Sequence, residues 1–213
     1  GSLLGDLRAH RKEPKKKNKL SAAAALKKLK VGNERFLRHD PVNYPTEKER
    51  ADFADGQQPY AAILSCADSR VSPEIMFNAG LDEIFVIRVA GNIADTTSIA
   101  SIEYAVTELN TNLIVVVGHE ACGAVGAALA NADSTLDLGY NLNSLLAHMT
   151  PAVFETKKVP KKQRSTATIK ANARLNAEAL RTRSPMIANE RGVKIVWAYY
   201  HLITGEVEFS EFL

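Results

Sequence analysis

The sequence predicts an α/β fold: a central, mostly parallel β-sheet of about four parallel strands plus an antiparallel C-terminal edge strand, flanked by helices, with an N-terminal helical arm. Two observations carry this reading. The runs Tyr60–Cys66, Ile84–Val89, Leu113–Val117 and Val193–Tyr200 are predominantly apolar, and the first and third are continuous enough for strands buried on both faces. Between them lie stretches whose apolar residues recur at helical spacing, the alternation that builds a parallel sheet.

Residues 1–19 form a basic, polar arm containing Arg8, Arg11, Lys12, Lys15, Lys16 and Lys17, expected to be solvated or partly disordered. It opens Gly1-Ser2 without Met, which reads as a cleavage remnant. Residues 20–213 read as a single domain. Ser21 can cap a helix running to Leu37, with Leu26, Leu29, Asn33 and Phe36 on one face, and Pro41 and Pro45 end it. Thr46 starts a short helix towards Gly56, with Glu49 at the capping-box position. Pro73 opens a helix through Phe77. A helix from Thr97 to Asn110 turns Ile102, Ala105, Val106 and Leu109 inward, and Cys122–Ala132 is a helix of small residues. Asn141–Phe154 and Ser165–Asn189 read as two further helices. Lys157, Lys158, Lys161 and Lys162 between them are expected in a solvated loop. Thr204-Gly205 turns the chain into the last strand, Glu206–Phe212.

Composition narrows the function classes. A hydrophobic content of 46% with 24% charged residues is that of a soluble globular enzyme or binding protein. A net charge of +3 is no footprint for nucleic acid or an anionic membrane surface. No apolar run reaches the roughly 18 residues that membrane insertion needs. The cytoplasm is the favoured compartment, with the periplasm or secretion left open by the cleaved start.

Two stretches concentrate chemistry. Ser65–Arg70 follows the first apolar run and sets a thiol, a carboxylate and a guanidinium at alternate positions. In an extended segment Cys66, Asp68 and Arg70 would share one face. Gly118–Gly123 follows the third run, and both stretches fall on the rim where the strands of such sheets end and ligands bind. Cys66 and Cys122 are the only two cysteines, a usage that favours metal or catalysis over a disulfide framework. Cys66, His119 and Cys122 make a three-ligand set suited to Zn²⁺. Asp68 is then either a fourth ligand or, held ionised by Arg70, an acceptor for a proton from metal-bound water. On spacing alone, catalytic and structural zinc weigh about equally.

Ser65–Val71 and Gly118–Val125 together resemble the β-class carbonic anhydrases, and the likeness extends from Leu20 to the C-terminus. Gly32–Phe36, Gly56–Pro59, Phe85–Asn92, Ser101–Ala105 and Leu202–Val207 all match family landmarks. The resemblance implies a lyase (carbonate dehydratase) that interconverts CO₂ and bicarbonate by attack of zinc-bound hydroxide, with one Zn²⁺ per chain on Cys66, His119 and Cys122. Asp68 and Arg70 would act as the catalytic gate, and Gln57 would donate to substrate. Phe85 and Tyr104 would line the pocket across a dimer interface. Homodimers, or tetramers built from them, are implied, with Leu20–Arg38 as an arm around the partner.

Members with an inhibitory bicarbonate site commonly carry Trp three positions before the first cysteine, where this chain has Ile63. Arg88 matches another element of that site, or serves the scaffold. An open site with zinc-bound water is therefore expected. Hydrolysis of carbon disulfide or carbonyl sulfide on the same zinc set is the alternative, followed by a non-catalytic zinc or redox module. His10, His39, His148 and His201 are expected in surface or core roles, and Glu120 as helix-start charge or a backbone cap.

Overall fold

The computed structural model describes residues 20–40, 44–134 and 136–213; the basic arm and Pro41 lie outside them. Helix α1 (Ala22–Leu37) begins at Ser21, whose hydroxyl accepts from the Ala24 amide. Helix α2 (Glu47–Phe53) begins with the complete Thr46–Glu49 capping box. There follow β1 (Ala61–Ser65), α3 (Pro73–Met76), β2 (Ile84–Arg88), a 3-10 turn (Ala90–Asn92), α4 (Thr96–Thr107), β3 (Leu113–His119) and α5 (Gly123–Asn131). Helices α6 (Tyr140–Ala147), α7 (Thr150–Glu155), α8 (Lys161–Arg183) and α9 (Pro185–Asn189) precede β4 (Lys194–Tyr200) and β5 (Val207–Phe209).

The strands form one sheet in the order β2-β1-β3-β4-β5, with the first four parallel and β5 antiparallel to β4. Strands β1 and β3 are buried at every position, which is why they read as unbroken apolar runs. Their side chains feed two cores. Ile63, Val115 and Val196 pack with Leu29 of α1 and Phe77, whereas Leu64, Val116 and Ile195 pack with Ile102 of α4 and Leu180 of α8. The chain leaves β1 for β2 on one side and returns to β3 on the other. The carboxyl ends of β1 and β3 thus flank the switch point where such sheets bind ligands.

The helical region departs from expectation at three places. The Asn141–Phe154 helix is interrupted between Ala147 and Thr150, where Pro151 opens a new first turn. The Ser165–Asn189 helix breaks at Ser184, which takes extended backbone (φ −123°, ψ 101°) because it precedes Pro185. Helix α8 also starts at Lys161, so half of the expected lysine loop is helical; Arg164 holds it by donating to the Lys157 and Val159 carbonyls. The last strand is short. Past Phe209 the Ser210 hydroxyl accepts from the Trp197 amide, so a side chain takes the place of a ladder carbonyl.

Gly32 and Asn33 seat α1. Asn33 donates to the Met76 and Gly205 carbonyls and accepts from the Val207 amide. A Cβ on Gly32 would sit 1.9 Å from the Phe77 carbonyl oxygen. Gly32→Ala is therefore expected to destabilise the fold by about 2–3 kcal/mol, since backbone yields less than a side chain to overpacking. The check is a lower urea midpoint at unchanged slope.

Candidate metal centre

Cys66, His119 and Cys122 converge: one ligand-type atom from each lies within 4.8 Å of the others, and all three residues are buried. Cys66 is the first residue past β1, His119 the last of β3, and Cys122 the N-cap of α5. The chain turns from strand to helix through Ala121, a non-glycine at φ 53°. A left-handed alanine costs about 1–2 kcal/mol. That strain sits where it folds Cys122 back towards His119.

The imidazole is oriented by its neighbour. His119 Nδ1 lies 2.9 Å from the Glu120 carbonyl oxygen, which can only accept, so Nδ1 carries the hydrogen and Nε2 the lone pair. Nε2 is buried with no hydrogen-bond partner among the described residues, beside two thiols. An orphaned imidazole lone pair and two sulfurs fit a soft-to-borderline cation. The sulfurs alone would share a proton. The Cys66 thiol is pulled down to about 4, chiefly by the Cys122 thiol and further by His119 and the Asp68 and Gly91 amides, against the opposing effect of burial. Cys122, next to that charge and desolvated, is pushed up. A cation would take the place of the shared proton.

Asp68 is gripped by Arg70. Arg70 Nε donates to Oδ1 at 2.9 Å, Nη2 to Oδ2 at 2.8 Å, and the Arg70 amide to Oδ1 at 3.0 Å. These bonds hold the Asp68 carboxyl well below the usual carboxylate range. Asp68 Oδ2 stands 3.9 Å from His119 Nε2. Arg70 Nη2 also reaches the Ala121 carbonyl at 3.3 Å, joining the two halves of the site.

The expected extended face is not what brings these groups together. The ladder of β1 ends where Ser65 meets Arg88, and the chain then turns, with the Val71 amide donating to the Asp68 carbonyl at 3.0 Å. Cys66 points inward, and the Arg70 side chain is 54% exposed. Arg88, at the end of β2, serves the loop carbonyls, donating to Cys66 O at 3.1 Å and Asp68 O at 2.7 Å. Arg88 thus works as scaffold here. Glu120 caps backbone, though in a different loop, accepting from the Ile203 amide at 3.3 Å. His201 pairs with Glu208.

Gln57, Phe85 and Tyr104 lie apart from the three ligand-type residues within one chain. Gln57 is exposed in the loop before β1, whereas Cys66 follows the strand's other end. Five residues of strand separate the two ends by roughly 17 Å. Phe85, near the start of β2, meets Tyr104 of α4 with ring centroids 6.2 Å apart. Sequence reasoning missed one contact altogether: the Gly91 amide donates to Cys66 Sγ at 3.3 Å. In the sequence Gly91 stood out only within the Phe85–Asn92 landmark, since no residue type announces a backbone donor.

The family profile described as carbonic anhydrase matches residues 61–207. Carbonic anhydrase 2 of Mycobacterium tuberculosis is 50% identical over 134 residues, covering 62% of this chain. The match spans 64% of that relative's own length, just under two thirds. The carbonic anhydrase of Mycolicibacterium smegmatis is 36% identical over 195 residues, covering 89% of this chain and 94% of its own. Among solved structures, a tetrameric β-carbonic anhydrase of Sordaria macrospora aligns at TM-score 0.67 and 25% identity, over 75% of this chain and 84% of that one. A Coccomyxa β-carbonic anhydrase aligns at TM-score 0.65 and 26% identity, over 74% of each chain. The profile opens on the first residue of β1 and closes on the first residue of β5, so it takes in the four parallel strands and both halves of the Cys-His-Cys group. The chain belongs to the β-class carbonic anhydrase family.

Proposed function

We propose that this chain catalyses the reversible hydration of CO₂ to bicarbonate and a proton at one Zn²⁺ held by Cys66, His119 and Cys122. The observation that carries the reading is the two-pronged Arg70–Asp68 pair beside the three ligand-type residues. A structural zinc site closes with a fourth ligand and needs no such pair. Zinc in a three-ligand site supplies a nucleophile near neutral pH by lowering the pKa of water to about 7. Asp68 provides a fixed, ionised hydrogen-bond acceptor at the edge of the group. Arg70 keeps both carboxylate oxygens engaged, so that the carboxylate orients water and stays off the metal. This is the open-site form. Burial of Cys66, His119 and Cys122 keeps bulk water from competing for the same groups.

The pocket wall, in this reading, comes from a second copy. Gln57, Phe85 and Tyr104 lie near the outer strand β2, whose side chains are only half-buried, and Tyr104 is 44% exposed. A homodimer, or a tetramer built from dimers, would bring these residues to the partner's metal group; the Sordaria relative is tetrameric. Among the described residues no helix is long and apolar enough to cross a membrane.

The expected zinc content is one ion per chain with both thiols protected from alkylation, and Cys122→Ser should lose the metal. Metal analysis alongside a thiol titre checks this, and a metal-free disulfide would sink the enzyme reading. Stopped-flow CO₂ hydration should show activity already at about pH 7, rising along a single titration as the water loses its proton. Asp68 adds no step there, because its carboxyl is depressed and loses its charge only on acidification, well below the usual carboxylate value of about 3.9. Activity that switches on only at alkaline pH would place Asp68 on the metal instead. Arg70→Ala should leave zinc content intact, lower kcat/KM at neutral pH by about 10²-fold and move the profile to higher pH, because the freed carboxylate then competes for the cation.

A further inference from the structure

We infer that Asn172 and Asn176 of α8 are positioning residues for the metal centre, holding the turn 91–94 so that the Gly91 amide stays aimed at the Cys66 sulfur; this rests on the zinc reading above. An amide that donates to sulfur has no side chain to steer it, so its direction is set by the turn that carries it. That turn is built from left-handed backbone, with Gly91 at φ 71° and Asn92 at φ 44°.

Helix α8 braces the turn from one side. Asn172 Nδ2 donates to the Gly91 carbonyl at 2.8 Å, and Asn176 Oδ1 accepts from the Ala94 amide at 2.6 Å. Asn176 Nδ2 donates to Asn172 Oδ1 at 3.0 Å and to the Asn172 carbonyl at 2.8 Å. This cross-brace fixes which way each amide faces: Asn172 Oδ1 is occupied, so its Nδ2 must point at Gly91. Arg183 adds a bond to the Ala94 carbonyl. From the other side the fully buried Met149 closes the turn, since a Cβ on Gly91 would sit 2.8 Å from Met149 Sδ.

The two asparagines are out of place as packing residues. The buried face of α8 around them is largely alanine (Ala171, Ala173, Ala177), and they are only 1% and 8% exposed. Buried amides are costly unless bonded, and outside the helix these two spend their bonds on the turn. Their four-residue spacing puts both on the face that meets it. The chain of contacts therefore runs from α8 through a backbone turn to a ligand sulfur. Partners that orient a metal's ligands typically contribute 10–100-fold in affinity, and Asn172 reaches Cys66 through one intervening residue, Gly91.

The test is the zinc dissociation constant, measured by competition with a chromophoric chelator, together with the thermal stability of the metal-free proteins. Asn172→Ala is compared with Leu29→Ala, which opens a cavity in the other core, under α1 and away from the turn. Asn172→Ala is expected to weaken zinc binding about 10–100-fold. Leu29→Ala should lower metal-free stability with affinity unchanged. Asn172→Ser, which keeps a shorter donor, should recover part of the affinity. Wild-type affinity in Asn172→Ala, or a loss no larger than that of Leu29→Ala, overturns the inference. If Asn172→Ala does not fold, Asn176→Ser decides by the same comparison. Wild-type protein that binds no zinc would overturn the function proposed above along with this inference, whereas normal wild-type binding with an unchanged variant overturns this inference alone.

Discussion

Everything at the rim depends on how β1 lies against β3. Their parallel register sets Ser65 opposite Val117, which leaves Cys66 and His119 at the same end of neighbouring strands. A slip of one residue would move every side chain of a strand to the other face, and both faces are packed. The register is thus held by two cores at once. Gly118 adds a further constraint. It lies just before His119, where a Cβ would come within 3.1 Å of Ile169, so α8 closes down on the strand's end.

Past Ser65 the β1 ladder has no further partner among the described residues, and charged side chains take over. Arg88 accepts the task of satisfying the Cys66 and Asp68 carbonyls, and Arg70 binds the Ala121 carbonyl while gripping Asp68. These guanidiniums do two jobs with the same atoms. They satisfy loop carbonyls that would otherwise lose hydrogen bonds on burial, and they bring positive charge to a place where two sulfurs can become anionic. The acidic and basic groups near the site are therefore part of its architecture as much as of its chemistry.

The sheet was legible because double burial writes itself into β1 and β3 as unbroken apolar runs. The caps at Ser21 and Thr46 were legible because their side chains make the bonds. The metal-type residues were legible because thiol and imidazole are rare and fell at two strand ends. What escaped depends on backbone. The Ser184 break needs the restriction imposed by the following proline to outweigh a helical pattern that continues through it. The alternate-residue reading of Cys66, Asp68 and Arg70 assumed an extended chain, whereas the strand stops with its partner and the residues meet through a turn. The Gly91 donor and the asparagines behind it act through main-chain atoms, which look alike in every residue of a sequence.

Glu120 illustrates how little of a site is its reactive side chains. Its carbonyl orients the His119 ring, its amide donates to the Tyr200 carbonyl at 2.9 Å, and its carboxylate takes the Ile203 amide. One residue thereby hangs an imidazole on the end of β4 and the hairpin after it. That hairpin carries no cysteine and none of the candidate ligands, yet it is the abutment against which the histidine is set. A chain trimmed before it would keep every residue of the Cys-His-Cys motif and lose the footing of one of them; possession of a motif and possession of a site are separate properties, joined here by a carbonyl.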